Sequence, residues 1–233
     1  MAPPDSAARE NLFALAESAP LDLRIDPDNR GVGITLSESG LEYYHSFVTG
    51  ALARRARQTG QALLRACNNK QRSISNLLDL TAGWGTDSLT LACHGMRTHA
   101  LEQSSLLAAI LEYSLDCLRA AGDTGEAGRR MTVECVNSAD FLQESGAGDR
   151  YDCIYLDPMF PPHKSGARPA KEMQILQALT GNSDIERCFE LALGAARKRV
   201  VVKRPAKAPG LHESKPDLVY REKSVRFDIY LTA

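Results

Sequence analysis

The stretch Asn76–Ser88, NLLDLTAGWGTDS, limits the possible folds of this chain more than any other segment. Leu77, Leu78 and Leu80 form a short apolar run that leads into Gly83-Trp84-Gly85, and Ser88-Leu89-Thr90-Leu91-Ala92 then follows in a pattern that suits a helix. A strand, a tight glycine turn and a helix in that order make the first βα unit of a nucleotide-binding α/β sheet. Lacking a Cβ, glycine permits the sharp turn and lets a ligand lie against the backbone.

Downstream the chain keeps alternating. Met96–Leu101 reads as a short strand ending in Glu102. Ser104–Ala121 reads as a helix, with Leu106, Leu107, Ile110, Leu111, Leu115 and Leu118 at helical spacing and Gly122 at its stop. Met131–Val136 is the next strand. Tyr151–Leu156 is apolar almost throughout, as a central parallel strand should be. Helices over Lys171–Leu179 and Asp184–Ala196, a strand over Arg199–Lys203, and two strands over Leu218–Lys223 and Val225–Leu231 complete the pattern. The expectation is an α/β, Rossmann-like fold: a mostly parallel sheet covered by helices on both faces, with an antiparallel C-terminal hairpin.

Upstream, the chain predicts a partly helical lead-in up to about Pro20 and a β-hairpin over Leu21–Leu36. Asp26-Pro27-Asp28-Asn29-Arg30-Gly31 supplies the hairpin's turn chemistry. Leu41–Ala66 reads as a helix broken near Gly50 and Gly60. Residues 1–70 are thus expected to form a small N-terminal appendage and 71–233 the main α/β domain.

With 233 residues and 43% hydrophobic content, the chain can bury one substantial core. Lys+Arg number 28 and Asp+Glu 29, a formal net charge of −1. That balance excludes attraction to nucleic acid by overall charge but leaves room for a local basic face. The N-terminus lacks the apolar core of a secretory signal, and no apolar run approaches the ~20 residues of a membrane helix, so a cytoplasmic protein without a membrane partner is expected. Six scattered cysteines with no CxxC pair predict reduced, buried thiols and no metal site.

The candidate site residues follow the strands. Ser88 stands at the third glycine position of a dinucleotide fingerprint, and Asp87 lies where a bound pyrophosphate would sit at a helix N-terminus. A carboxylate there repels phosphate and attracts an ammonium. Asp79 and Asp87 therefore favour S-adenosylmethionine, which carries an ammonium and a sulfonium and no phosphate, over a nicotinamide dinucleotide. Glu102, about 20 residues past the glycine turn, is placed to accept from ribose hydroxyls. At Ala139-Asp140 the acidic side chain can accept from an adenine amino group while neighbouring backbone donates to the ring. Asp157-Pro158-Met159-Phe160 closes the central strand and resembles the D/N-P-P-Y/F motif of amino-directed methyltransferases. A base's exocyclic amine is a poor nucleophile because its lone pair is delocalised into the ring. A carboxylate and a carbonyl accepting from its N–H groups can hold that lone pair toward a methyl donor, and an aromatic residue can stack on the base. Three basic groups are candidate nucleic-acid contacts: Arg54, Arg55 and Arg57; Lys164, Arg168 and Lys171; Lys203, Arg204 and Lys207.

Taken together, these residues make the chain similar to the bacterial ribosomal RNA small subunit methyltransferase J family. The matching stretches are LLDLTAGWGTD (Leu77–Asp87), Leu101-Glu102, YLDPMFP (Tyr155–Pro161), Lys171-Glu172-Met173, KRVVVKRP (Lys198–Pro205) and RFDIY (Arg226–Tyr230). The resemblance implies S-adenosylmethionine-dependent methylation of N2 of a guanine in 16S rRNA, guanine 1516 in the family. It implies 16S rRNA or the small ribosomal subunit as partner. Cofactor contacts are implied at Asp79, Gly83, Thr86, Asp87, Glu102, Gln103, Ala139, Asp140 and Asp157. Asp157, Pro158 and Phe160 would act on the base, and Arg54, Arg55, Lys164, Lys203 and Arg204 would contact RNA. Thr86 stands where the family commonly has Arg, and the loop from Pro162 to Ala170 differs from the family's Lys-rich version. The D-P-P-Y-like motif alone also permits an amino methyltransferase acting on DNA adenine or protein glutamine, and the fold alone permits a non-catalytic RNA-binding assembly factor.

Overall fold

A computed structural model describes residues 6–26, 28, 30–68, 73–122, 125–144, 151–159, 169–181 and 184–232. Its centre is a seven-stranded sheet: β4 (Asn76–Asp79), β5 (Arg97–Glu102), β6 (Met131–Cys135), β7 (Cys153–Leu156), β8 (Arg199–Pro205), β9 (Leu218–Arg221) and β10 (Val225–Leu231). The spatial order is β6-β5-β4-β7-β8-β10-β9. β6, β5, β4, β7 and β8 run parallel, while β10 lies antiparallel between β8 and β9. From β4 the chain steps outward to β5 and β6, then returns to the other side of β4 for β7 and β8. That reversal is a topological switch point, and ligands of open α/β sheets bind at the C-terminal strand ends beside it.

The strands' period of two divides the core. Leu78, Leu80, Ile154, Leu156, Val200 and Val202 face α7 (Ser138–Glu144) and α9 (Ile185–Ala195), packing with Phe141, Leu142, Cys188 and Phe189. On the opposite face Leu77, Cys153, Tyr155 and Val201 pack with Ala62, Leu63, Ala66 and Cys67 of α3 (Ala62–Cys67). α4 (Thr86–Cys93) and α5 (Ser105–Ala120) cover the same side nearer β5, packing Leu89, Leu111 and Leu115 with Ala100 of β5 and Met131 of β6. The Ser104 hydroxyl caps α5 by accepting from the Leu107 N–H at 3.4 Å.

The N-terminal segment forms α1 (Ser6–Ala16) and a three-stranded antiparallel sheet of β1 (Leu21–Ile25), β2 (Val32–Leu36) and β3 (Glu42–His45). The expected hairpin is β1–β2, with Leu21 opposite Leu36 and Ile25 opposite Val32. The helix expected from Leu41 is corrected at its start, because Glu42–His45 is a strand paired with β2. The alternation Glu42-Tyr43-Tyr44-His45 fits the pleat, turning Tyr43 and His45 inward. Helix begins only at α2 (Gly50–Ala56), and Gly60, at φ +78°, separates it from α3.

Two further helices have no clear signal in the sequence. α6 (Gly125–Arg130) holds two glycines at low helix propensity, yet Gly128 lets the backbone meet Arg119, whose Nε donates to the Gly128 carbonyl at 3.0 Å. α7 is the other. Among the cysteines, Cys67, Cys117, Cys153 and Cys188 are buried as expected, whereas Cys135 is exposed because it ends the edge strand β6. No helix of the described residues is long and apolar enough to cross a membrane.

Candidate active site

The glycine turn sits where β4 ends. Gly83 and Gly85 have φ of +52° and +67°, a region that side-chain-bearing residues rarely enter. A Cβ on Gly85 would also lie 2.8 Å from Phe47 and 3.0 Å from Leu111, so packing as well as backbone geometry demands glycine there. Trp84, between them, turns inward. Its ring stacks on His45 at 5.3 Å between centroids and lies 4.6 Å from Tyr43, and its indole N–H donates to the Glu172 carbonyl at 3.0 Å. Glu172 belongs to α8 (Lys171–Leu179), whose Leu176 packs beside Gly83. The turn is thus clamped between the N-terminal sheet and α8.

Asp79 lies beneath the turn with 1% of its surface exposed. One oxygen accepts from the Thr81 N–H at 2.9 Å and the other from the Ser88 hydroxyl at 2.5 Å. Burial pushes its carboxyl up to about 7, although those hydrogen bonds pull the other way. The structure therefore gives Asp79 the work of fastening the turn to α4.

Glu102 ends β5 and reaches back to the turn. It accepts from the Gly83 N–H at 3.1 Å and the Ser104 N–H at 2.9 Å, and the Gln103 backbone N–H also bonds to it. A carboxylate offers about four acceptor positions, so capacity for diol hydroxyls remains. Gln103, next along, takes a 3.4 Å hydrogen bond from the Asn137 amide. Asn137 also caps α7, its side-chain oxygen accepting from the N–H groups of Ala139 (2.9 Å) and Asp140 (3.3 Å). Those backbone donors, expected to face an adenine ring, are engaged by Asn137, while the Asp140 side chain is exposed.

The far side of the site holds an ionic cluster that sequence reasoning did not assemble. Lys203 Nζ lies 2.8 Å from Asp87 Oδ2 and 2.8 Å from Asp157 Oδ2. The Tyr155 hydroxyl donates to the same Asp87 oxygen at 2.6 Å. Strand pairing explains the meeting. Leu156 faces Val202 across β7 and β8, so the next residues of each strand, Asp157 and Lys203, emerge side by side. Tyr155 points the same way as Asp157 by the period of two. Burial opposes ionisation of Asp87, but the Lys203 ammonium and the hydrogen bonds from Lys203 and Tyr155 outweigh it and hold its carboxyl below the usual range. At Asp157 burial, reinforced by the Asp87 charge, prevails over Lys203 and leaves the carboxyl raised. Arg55, exposed on α2, adds a smaller downward pull on both acids, so its charge lies on this side of the molecule. The Asp157 backbone is fixed as well, its N–H donating to the Thr81 hydroxyl at 2.6 Å. Pro158 is buried and Met159 is 41% exposed at the rim.

The structure thus brings Gly83, Asp87, Glu102, Gln103, Asp157 and Lys203 to the C-terminal strand ends, the crevice where open α/β sheets take their ligands, with Asp79 below, while Thr86 opens α4 just after the turn. Arg54 is exposed on α2 like Arg55. Arg204 is a correction. It is only 6% exposed, and its guanidinium donates to the Pro209 carbonyl at 2.8 Å and 3.2 Å, because the alternation that points Lys203 into the cleft turns Arg204 to the opposite face. Phe160 and Lys164 lie outside the described residues.

A family described as SAM-dependent methyltransferases matches residues 9–232. The ribosomal RNA small subunit methyltransferase J of Nitrosococcus oceani is 37% identical over 228 residues, covering 91% of this chain and 90% of that one. That of Thioalkalivibrio sulfidiphilus is 36% identical over 232 residues, covering 97% and 91%. The chain belongs to the ribosomal RNA small subunit methyltransferase J family. A crystal structure of a SAM-dependent methyltransferase from Neisseria gonorrhoeae shares the fold, with a TM-score of 0.73, 27% identity, and coverage of 98% of this chain and 92% of that one. S-adenosylmethionine is the family's cofactor. The glycine turn and an acid with spare acceptors at the end of β5 suit it chemically, while the ammonium seen beside Asp87 is that of Lys203. Asp157, singled out by its resemblance to the D/N-P-P-Y/F motif, lies beside the turn, bonded through its N–H to Thr81.

Proposed function

We propose that this chain methylates the exocyclic N2 of a guanine in 16S rRNA, the family's guanine 1516 being the expected target. The observation that carries this reading is the position of Asp157-Pro158 at the end of β7, directly across the switch point from the glycine turn. Support for an RNA substrate comes from the relatives, which are named for the small-subunit ribosomal RNA.

Glu102, with Gln103, holds the cofactor's ribose, Asp140 its adenine, and the Gly83 turn its amino-acid end. When bound, the cofactor supplies an electrophilic methyl group on a sulfonium. The Asp157 carboxylate and the Pro158 carbonyl accept from the guanine amine and hold its lone pair out of conjugation with the ring. Asp157 then takes the proton that the amine sheds, a role suited to a carboxyl held above its ordinary range. Phe160 stacks on the base. Arg54 and Arg55 sit on exposed helix surface, where they can meet phosphates.

Nucleoside mass spectrometry of small-subunit RNA decides the matter. Deleting the gene should remove one N2-methylguanine, and the purified protein with S-adenosylmethionine should restore it to RNA or subunits from the deletion strain. An unchanged N2-methylguanine complement in the deletion strain defeats the reading. A methylated adenine or glutamine as product would assign another target.

A further inference from the structure

We propose that Lys203 and Asp157 together recognise the Watson–Crick edge of the target guanine, with the Lys203 ammonium donating to O6 while the Asp157 carboxylate accepts from N1–H and N2–H. This inference rests on the guanine-N2 reading above and names the residue that selects the base.

Three observations carry it. First, Lys203 Nζ lies 2.8 Å from Asp157 Oδ2. Taken in the order Oδ1, Oδ2, Nζ, the row presents acceptor, acceptor, donor. The guanine edge presents N2–H, N1–H and O6, which is donor, donor, acceptor at comparable spacing, whereas adenine, with one donor group and one acceptor, fills only part of it. Second, both ends of the row are open. Among the described residues Oδ1 has no protein partner, and an ammonium has three donors of which Lys203 uses two, on Asp87 and Asp157. The side chains are 19% and 34% exposed, so both reach the cleft. Third, the row is fixed from behind. Tyr155 holds Asp87 and Asp87 holds Lys203, while adjacent strands β7 and β8 set the spacing of Lys203 and Asp157. Only a donor held in place can discriminate between bases, since a mobile lysine would adapt to either. An ion pair needed only for stability would have no reason to sit at the mouth beside the methyltransferase motif with a spare donor.

The test uses RNA carrying either guanine or 6-thioguanine at the proposed target nucleotide. Sulfur at position 6 is a weak acceptor, while N1–H and the N2 amine are retained. The natural chain should prefer guanine in kcat/KM by about tenfold, the size of one hydrogen bond to a charged group. In Lys203→Met the preference should fall toward unity, through loss on guanine and little further loss on 6-thioguanine. S-adenosylmethionine affinity measured by calorimetry should stay within a few-fold. Lys203→Arg, which keeps a donor, should retain a preference for guanine. If Lys203→Met slows both RNAs by the same factor, Lys203 merely positions Asp157 and the proposal is overturned. Should the single variant not fold because two carboxylates face each other, Asp87→Asn/Lys203→Met removes that repulsion, and the ratio of guanine to 6-thioguanine turnover at saturating S-adenosylmethionine is then the readout. Failure of the guanine-N2 reading itself would appear separately: the natural chain would then place no methyl on N2 of guanine.

Discussion

At the scale of single residues, Asp157 and Asp79 show how burial sorts carboxylates at one site. Asp157 stands at the mouth and Asp79 beneath the turn. Asp157→Ala should lower methyl transfer by about 10²–10⁴-fold, the usual range for a positioned acid–base group. Calorimetry should still show S-adenosylmethionine binding, and unchanged turnover would remove Asp157 from the chemistry. Asp79 makes a prediction about stability. Its carboxyl is pushed up to about 7 by burial, against about 4 in an unfolded chain. Between those values the folded state holds the extra proton. The contribution of Asp79 to stability therefore falls as pH rises from about 4 to about 7, and remains reduced above that. Asp79→Asn should gain in urea midpoint relative to the natural chain between pH 5 and pH 8, and an identical difference at both pH values would place the dependence elsewhere.

At the scale of elements, the turn between β4 and α4 is held by parts distant in sequence. Phe47 comes from the N-terminal segment, Leu111 from α5, and the Glu172 carbonyl from α8. Gly85→Ala should cost about 1–3 kcal/mol from the left-handed backbone alone. Because the new methyl would also crowd Phe47, the loss should appear both in Tm and in cofactor affinity. A Tm within a degree of the natural chain's would contradict the clamp. α2 carries a different prediction. Replacing Arg54 and Arg55 by Ala should weaken RNA binding almost independently of sequence, and should reduce the slope of log affinity against log salt by about 0.7–0.9 for each phosphate left without its arginine. A slope that does not move would place the RNA elsewhere.

For the whole molecule, the legible parts of the sequence were those governed by local pattern. The glycine turn, the long helix α5, the apolar strand β7 and the acids that follow strands all announce themselves within a few residues. What was not legible depends on pairing between strands. The meeting of Lys203 with Asp157 requires the β7–β8 register, and the inward turn of Arg204 requires knowing which neighbour of Lys203 enters the cleft. The strand Glu42–His45 was hidden by helix-like neighbours, and it gains its identity only from pairing with β2. The same dependence on distant pairing bears on how the molecule is made. β10 lies inside the sheet between β8 and β9, although it is the last of the strands to be synthesised. Until Val225–Leu231 leaves the ribosome, β8 has no partner on that side and β9 has no route into the sheet. The β8 edge therefore stays open until Val225–Leu231 has been made, and β9 and β10 add to it together as a hairpin.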